Sequence, residues 1–251
     1  LGELIIRFKT KQIIKRDYEK KLAEIKADKL YEPAMFDHAE DYAVFVLEQF
    51  AAAQAHTKDA LLFIEEKIDL TDYIPEGFGT GDSAVIADGI LDFIDLKYGK
   101  GVPVSVVENK QMMLYGLGML NKFDFLYDIH TVRMTIYQPR LDSVSTYEIA
   151  ANELKQWAET ELKPKAELAF KGEGEFVPGV NCRFCKAAGT CKANADFNLE
   201  LAKHEFADPK LLTDEEVANI LDRADIFKKW LTAVEDNALF EAVTNNKKWP
   251  G

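Results

Sequence analysis

The pair Asp88-Gly89 sits between two apolar runs, Ala84–Ala87 and Ile90–Tyr98. Asp-Gly readily adopts the positive φ angles of a two-residue hairpin turn, so it specifies both the turn and the register of the flanking strands. With this turn, cross-strand partners have numbers that sum to 177: Ala87 faces Ile90, Val85 faces Asp92 and Ser83 faces Ile94. One step further, Asp82 stands opposite Asp95 on the same face, with Cβ atoms ~4.5–5.5 Å apart. Lys97, two residues beyond Asp95, shares that face.

Two like charges so close are destabilising unless a cation lies between them. Oxygen ligands on adjacent strands suit Mg²⁺ or Mn²⁺, which take one or two carboxylates and keep several waters. An ammonium beside them can activate water or stabilise charge developing on a phosphate. The plainer reading of Asp95-x-Lys97 is an ordinary solvated strand edge.

The other elements are read from periodicity and caps. Residues 3–28 have helical apolar spacing, and a second helix is expected from Pro33 to Ala55. Leu61–Leu70 reads as a strand, followed by a Gly/Pro-containing loop over residues 73–81. Ser105 with Glu108 has the form of a capping box opening a helix to Leu120, and Ile129–Tyr137 reads as a strand. Thr146–Leu162 reads as helix, and Thr213 with Glu216 caps a last helix to Ala242. The expectation is one α/β domain of 251 residues: a central 60–140 core, a cysteine loop at 175–195 and a C-terminal helix at 213–245. The chain opens mid-pattern at Leu1 and stops at a Trp249-Pro250-Gly251 turn, so further sequence is expected at both ends.

No apolar run reaches the ~18 residues of a membrane span, and no signal peptide is visible. Three cysteines within ten residues do not resemble a secreted disulfide framework. A cytoplasmic protein is therefore expected. Its net charge of -12 weighs against nonspecific nucleic-acid binding. The charge is uneven, however: Arg7, Lys9, Lys11, Lys15, Arg16, Lys20 and Lys21 make the start basic, and Lys97, Lys100 and Lys110 flank the acidic pair.

Three segments in order carry a resemblance: Gly79-Thr80-Gly81-Asp82, then Ile94-Asp95-Leu96-Lys97-Tyr98-Gly99, then Gln111-Met112-Met113-Leu114-Tyr115. They resemble the metal-binding Asp, the Asp-x-Lys and the helical Gln-x-x-x-Tyr of RecB-type PD-(D/E)XK nucleases, above all a phage and prophage subgroup of exonuclease-like proteins. The resemblance implies a restriction-endonuclease-like core: a mixed β-sheet flanked by helices, with additional N- and C-terminal helices. It implies that Asp82, Asp95 and the Leu96 carbonyl hold Mg²⁺ or Mn²⁺, that Lys97 assists catalysis, and that Gln111 and Tyr115 place the DNA strand. Partners would be DNA and recombination or phage replication proteins. An upstream His motif belongs to the pattern. The surroundings of His38 do not match it, Glu65 and Glu66 are candidate substitutes, and the motif's His is expected before Leu1. His56, His130 and His204 have no motif context.

Cys182-x2-Cys185-x5-Cys191 supplies three soft ligands, and a tetrahedral site needs a fourth. His204 would complete a zinc site, whereas a fourth Cys could lie upstream. The resemblance implies the latter, as a [4Fe–4S] cluster that staples the chain ends outside the cutting chemistry. Two further readings stand beside a nuclease: a non-catalytic DNA-binding or recombination accessory protein, and a zinc-stabilised domain whose acidic surface binds a protein.

Overall fold

The structure, a computed structural model, describes residues 1–99, 102–204 and 213–250, the side chains of 201–204 excepted. The chain divides into two compact units, Leu1–Glu173 and Gly174–Gly251.

In the first unit, helices α1 (Gly2–Lys9), α2 (Lys15–Lys26) and α3 (Pro33–His56) precede three strands, β1 (Leu61–Asp69), β2 (Phe78–Ala87) and β3 (Gly89–Leu96). Helix α4 (Lys110–Phe123) leads to β4 (Ile129–Gln138) and β5 (Ser143–Ala150). Then come α5 (Ala151–Trp157), a π-helical turn (Ala158–Leu162) and α6 (Lys163–Phe170). The five strands form one mixed sheet in sequence order. Neighbours are antiparallel except β3 and β4, which run parallel because α4 carries the chain back between them.

Each face of the sheet has its own apolar cover. Ile86, Leu91, Phe93, Val132 and Met134 pack with Met112, Leu117 and Leu120 of α4 and Leu154 of α5. On the other face, Ile64 and Ile94 meet Ile5 and Ile6 of α1 and Tyr42, Ala43 and Val46 of α3. Strand β1 changes faces partway. Ile64 pairs with Ser83 and Glu66 with Gly81, whereas Glu65, at φ 52, is skipped. Ile64 therefore joins the α1/α3 side while Ile68 joins the α4 side. The left-handed backbone at Glu65 re-aims the side chains after it while the register with β2 stays unchanged, Asp82 being the residue passed over on the partner strand.

Several local readings are corrected. The helix expected over 3–28 breaks into α1 and α2, with Lys11 in left-handed backbone at φ 61 between them. The Ser105/Glu108 capping box does not form. Glu108 has φ 51, and Asn109 is the N-cap, its side chain accepting the N–H groups of Gln111 and Met112. Residues 146–150 belong to β5 rather than a helix, because pairing with β4 satisfies their backbone. β2 also begins inside the expected 73–81 loop.

The second unit holds a 3₁₀ turn (Val180–Phe184), α7 (Lys192–His204) and α8 (Asp214–Thr244). Thr213 and Glu216 cap α8 reciprocally, as expected, with bonds of 2.8 and 3.3 Å. No described helix is long and apolar enough to cross a membrane.

Helix α4 lies close on the sheet because Gly118 has no side chain. A Cβ there would stand 2.2 Å from Ile68 Cγ2 and 3.2 Å from the Asp69 carbonyl oxygen. Gly118→Ala should therefore destabilise the protein by ~1–3 kcal/mol through overpacking, despite alanine's better helix propensity. The denaturant midpoint measures this, and an unchanged or raised midpoint would contradict the packing described.

Candidate active site

The β2–β3 ladder follows the hairpin register, from Ala87 opposite Ile90 to Ser83 opposite Ile94, and ends there. Gly89, at φ 82, makes the turn. Past Ser83 the strands part. β2 continues against β1, with Gly81 opposite Glu66, while β3 continues against β4, with Asp95 opposite Ile136 and Leu96 opposite Tyr137. Asp82 and Asp95 thus stand where the ladder opens rather than as a ladder pair. The Asp82 carboxylate spans the gap, with Oδ2 accepting the Leu96 N–H at 2.7 Å.

Asp95 is 3% exposed. Lys97 Nζ lies 2.9 Å from its Oδ2 and 3.3 Å from its Oδ1. Both Asp95 oxygens therefore face the ammonium, and the buried Oδ2 has no hydrogen-bond donor besides it. Lys97 also donates to Gln111 Oε1 at 3.0 Å. Burial pushes the Asp82 carboxyl up to about 6. The Leu96 N–H opposes that rise, Asp95 and Glu65 add to it, and Lys97 again opposes it.

Gln111 and Tyr115 share a face of α4 but have different contacts. Gln111 reaches Lys97, whereas the Tyr115 ring meets Phe93 edge-on, centroids 5.6 Å apart. Tyr115 also covers Gly79, where a Cβ would lie 2.5 Å from its Cε1. Of the Leu96 backbone, the N–H is the group that meets Asp82.

Behind the fork lies Tyr42, which no motif pointed to. It is 3% exposed, and its hydroxyl donates to Ser83 Oγ at 2.9 Å, at the last ladder pair. Asp92 was missed too. It is buried on the other face of β3, opposite Arg133, with Oδ1 lacking a hydrogen-bond partner. Arg133 sits 3.6 Å from Asp92 Oδ2 and donates to Glu148 at 2.7 Å. Burial raises the Asp92 carboxyl to about 6 against the pull of Arg133. Tyr42 and Asp92 carry no local signal, since only strand pairing and helix docking bury them.

The remaining candidates, Glu65 beside Asp82 excepted, lie elsewhere. Glu66 pairs with Lys122, while Glu65 is exposed and feels Glu3 and Arg7 as well as Asp82. His38 Nδ1 lies 3.2 Å from the Tyr98 hydroxyl, away from the carboxylates. His130 is exposed beside Asp128, and His56 ends α3. Lys110 stacks over Trp157. Lys100 and the His204 side chain lie outside the described residues. The basic opening segment is largely charge-paired: Arg7 with Glu3, Lys9 with Glu40, Lys15 with Glu19, Arg16 with Asp17 and Lys20 with Glu24.

In the second unit, Cys182 accepts the Gly179 N–H at 3.4 Å. Cys182 and Cys185 line a cavity of about 60 Å³ with Asn194, Lys229 and Trp230. Cys191 directly precedes α7. Among the described residues, no three His, Cys, Asp or Glu side chains gather as a group that could hold a metal ion.

A carboxyl raised on folding favours the folded state fully below its unfolded pKa of ~3.9. That contribution fades as pH rises through about 6, the folded value for both Asp82 and Asp92. Metal-free protein should therefore lose thermal stability from these groups between about pH 4 and 7. Asp82→Asn and Asp92→Asn should each flatten the dependence of Tm on pH and gain most, relative to wild type, above pH 6. Slopes parallel to wild type would refute the raised values.

A solved structure, SSO0001, is similar over 71% of this chain and 80% of its own, at 15% identity and a TM-score of 0.30. The family described as "Protein of unknown function (DUF2800)" matches residues 1–251, and the chain belongs to that family.

Proposed function

We propose that the chain is a divalent-metal-dependent DNA nuclease of the RecB-like PD-(D/E)XK type, acting as an exonuclease in phage or prophage DNA metabolism or recombination. The observation that carries this reading is the convergence of the Asp82 carboxylate, the buried Asp95 carboxylate and the Lys97 ammonium where the β2–β3 ladder opens. Two carboxylates brought together at the end of a ladder repel one another, and a divalent cation held by their oxygens offsets that repulsion. The order of parts supports the reading as well: Asp82 on β2, Asp95 and Lys97 at the end of β3, and Gln111 and Tyr115 on the helix that follows.

Asp82 and Asp95 would hold Mg²⁺ or Mn²⁺, with the Leu96 carbonyl as a further oxygen. The bound cation would supply Lewis-acid polarisation of the phosphodiester and lower the pKa of attacking water. Lys97 places its ammonium between Asp95 and Gln111, where it can donate to charge developing on the phosphate. Gln111 acts through Lys97 by fixing that ammonium. Tyr115 holds α4 to β2 by packing on Gly79 and Phe93.

With Mn²⁺, the intact protein is expected to degrade labelled DNA. Asp95→Ala and Lys97→Ala should each reduce the rate at least ~100-fold. Undiminished cleavage in both variants would exclude this site as the catalytic centre.

The same reading makes Cys182, Cys185 and Cys191 three ligands of a [4Fe–4S] cluster, the fourth coming from outside this sequence. Anaerobically purified full-length protein should contain iron and acid-labile sulfide. Stoichiometric zinc without sulfide would instead favour a Cys₃His site with His204.

A further inference from the structure

Three distant segments meet just beyond Lys97. β3 and β4 run parallel and in step, with Leu96 opposite Tyr137, so the chain after each strand emerges on the same side. Tyr98 follows β3, and Arg140 lies in the 3₁₀ turn Pro139–Leu141 after β4. The Arg140 guanidinium sits over the Tyr98 ring, 5.0 Å from its centroid. From α3, His38 Nδ1 approaches the Tyr98 hydroxyl at 3.2 Å, their rings 5.7 Å apart.

Charge singles out Arg140. The first unit has four arginines, Arg7, Arg16, Arg133 and Arg140. Arg7, Arg16 and Arg133 are each ion-paired with carboxylates. Among the described residues, Arg140 has no carboxylate partner and touches the face of an aromatic ring instead. Arg183 and Arg223 of the second unit also stack on rings, over Phe184 and Phe197, so within the first unit it is the position next to the end of β3 that sets Arg140 apart. A guanidinium stacked on a ring is fixed in orientation while its N–H edge stays available, and that edge matches the oxygens of a phosphate.

We infer that Arg140, stacked on Tyr98, is a phosphate-binding subsite for a DNA strand, one residue along the chain from Lys97. His38 is a positioning residue, since it meets the Tyr98 hydroxyl and sets the ring under Arg140. The subsite deepens the proposed function and rests on that reading. It takes another phosphodiester of the strand that Lys97 meets, and it places one end of the strand's path on the α3 side of the β3 terminus.

The test is fluorescence anisotropy with a labelled single-stranded oligonucleotide, in EDTA so that nothing is cut, across a salt series. Wild type, Arg140→Ala, Arg140→Lys and His38→Ala are compared after circular dichroism establishes that each is folded. Arg140→Ala should weaken binding about ten-fold, which is one charge-assisted contact of ~1.4 kcal/mol. It should also reduce the slope of log K against log salt by about one. Arg140→Lys should restore the slope but only part of the affinity, since an ammonium cannot make the paired contact. His38→Ala should weaken affinity with the slope unchanged. Wild-type affinity and slope in Arg140→Ala, or no salt-dependent binding by wild type, overturn the subsite. Mn²⁺-dependent cleavage is scored separately. Cleavage by wild type with Arg140→Ala binding unchanged removes the subsite alone, whereas Arg140-dependent binding without cleavage keeps the subsite and removes the nuclease reading.

Discussion

The hydrogen bond from the Leu96 N–H to Asp82 Oδ2 holds the fork between β2 and β3 in place. A strand that leaves its neighbour strips its backbone of partners, and a donor left unsatisfied inside a protein costs ~1–3 kcal/mol. Asp82 meets that need across the opening. The same bond fixes the carboxylate where ionisation is hard, which is why its carboxyl is raised although the N–H pulls the other way. On one side, β1 accommodates the fork with the left-handed backbone of Glu65. On the opposite face, Tyr42 ties down Ser83 at the last ladder pair.

This arrangement concentrates the chemistry in a protein whose overall charge opposes nucleic acid. The basic residues at the start of the chain are largely taken up by neighbouring carboxylates, so the segment behaves as a charge-balanced helical surface. Other cations of the first unit are held by contacts besides surface ion pairs. Lys97 is poised between Asp95 and Gln111, Lys110 lies over Trp157 and Arg140 over Tyr98. Local placement matters more than net charge because the field of an exposed charge dies within about a Debye length of ~10 Å.

Much of the fold was legible because its signals are local. Asp88-Gly89 specified a turn whose register could be counted outward residue by residue, and the ladder follows that count as far as Ser83. Pro33 at the start of α3 and the Thr213/Glu216 box of α8 marked their helix ends for the same reason. Local signals failed where a neighbour competed. Ser105 and Glu108 have capping-box spacing, but Asn109 caps α4 once Glu108 turns left-handed. Residues 146–150 fit a helical pattern until β4 offered them a strand partner.

The candidate site divides along the same line. By itself the sequence put Asp82, Asp95 and Lys97 on one face by counting from Asp88-Gly89, and it put Gln111 and Tyr115 on one helix face, while their choice as site residues came from the resemblance. Turn geometry and helix periodicity act over a few residues, so they can be read from residue types alone. Only the tertiary structure decided that the ladder stops one pair short, that Asp82 turns to the Leu96 N–H, and that Asp95 is buried against the Lys97 ammonium. It alone brought Tyr42 to Ser83 and Arg140 and His38 to Tyr98. Those contacts join segments 41 to 60 residues apart. They arise from burying two apolar faces of one sheet under different helices, a constraint that no short stretch of sequence contains.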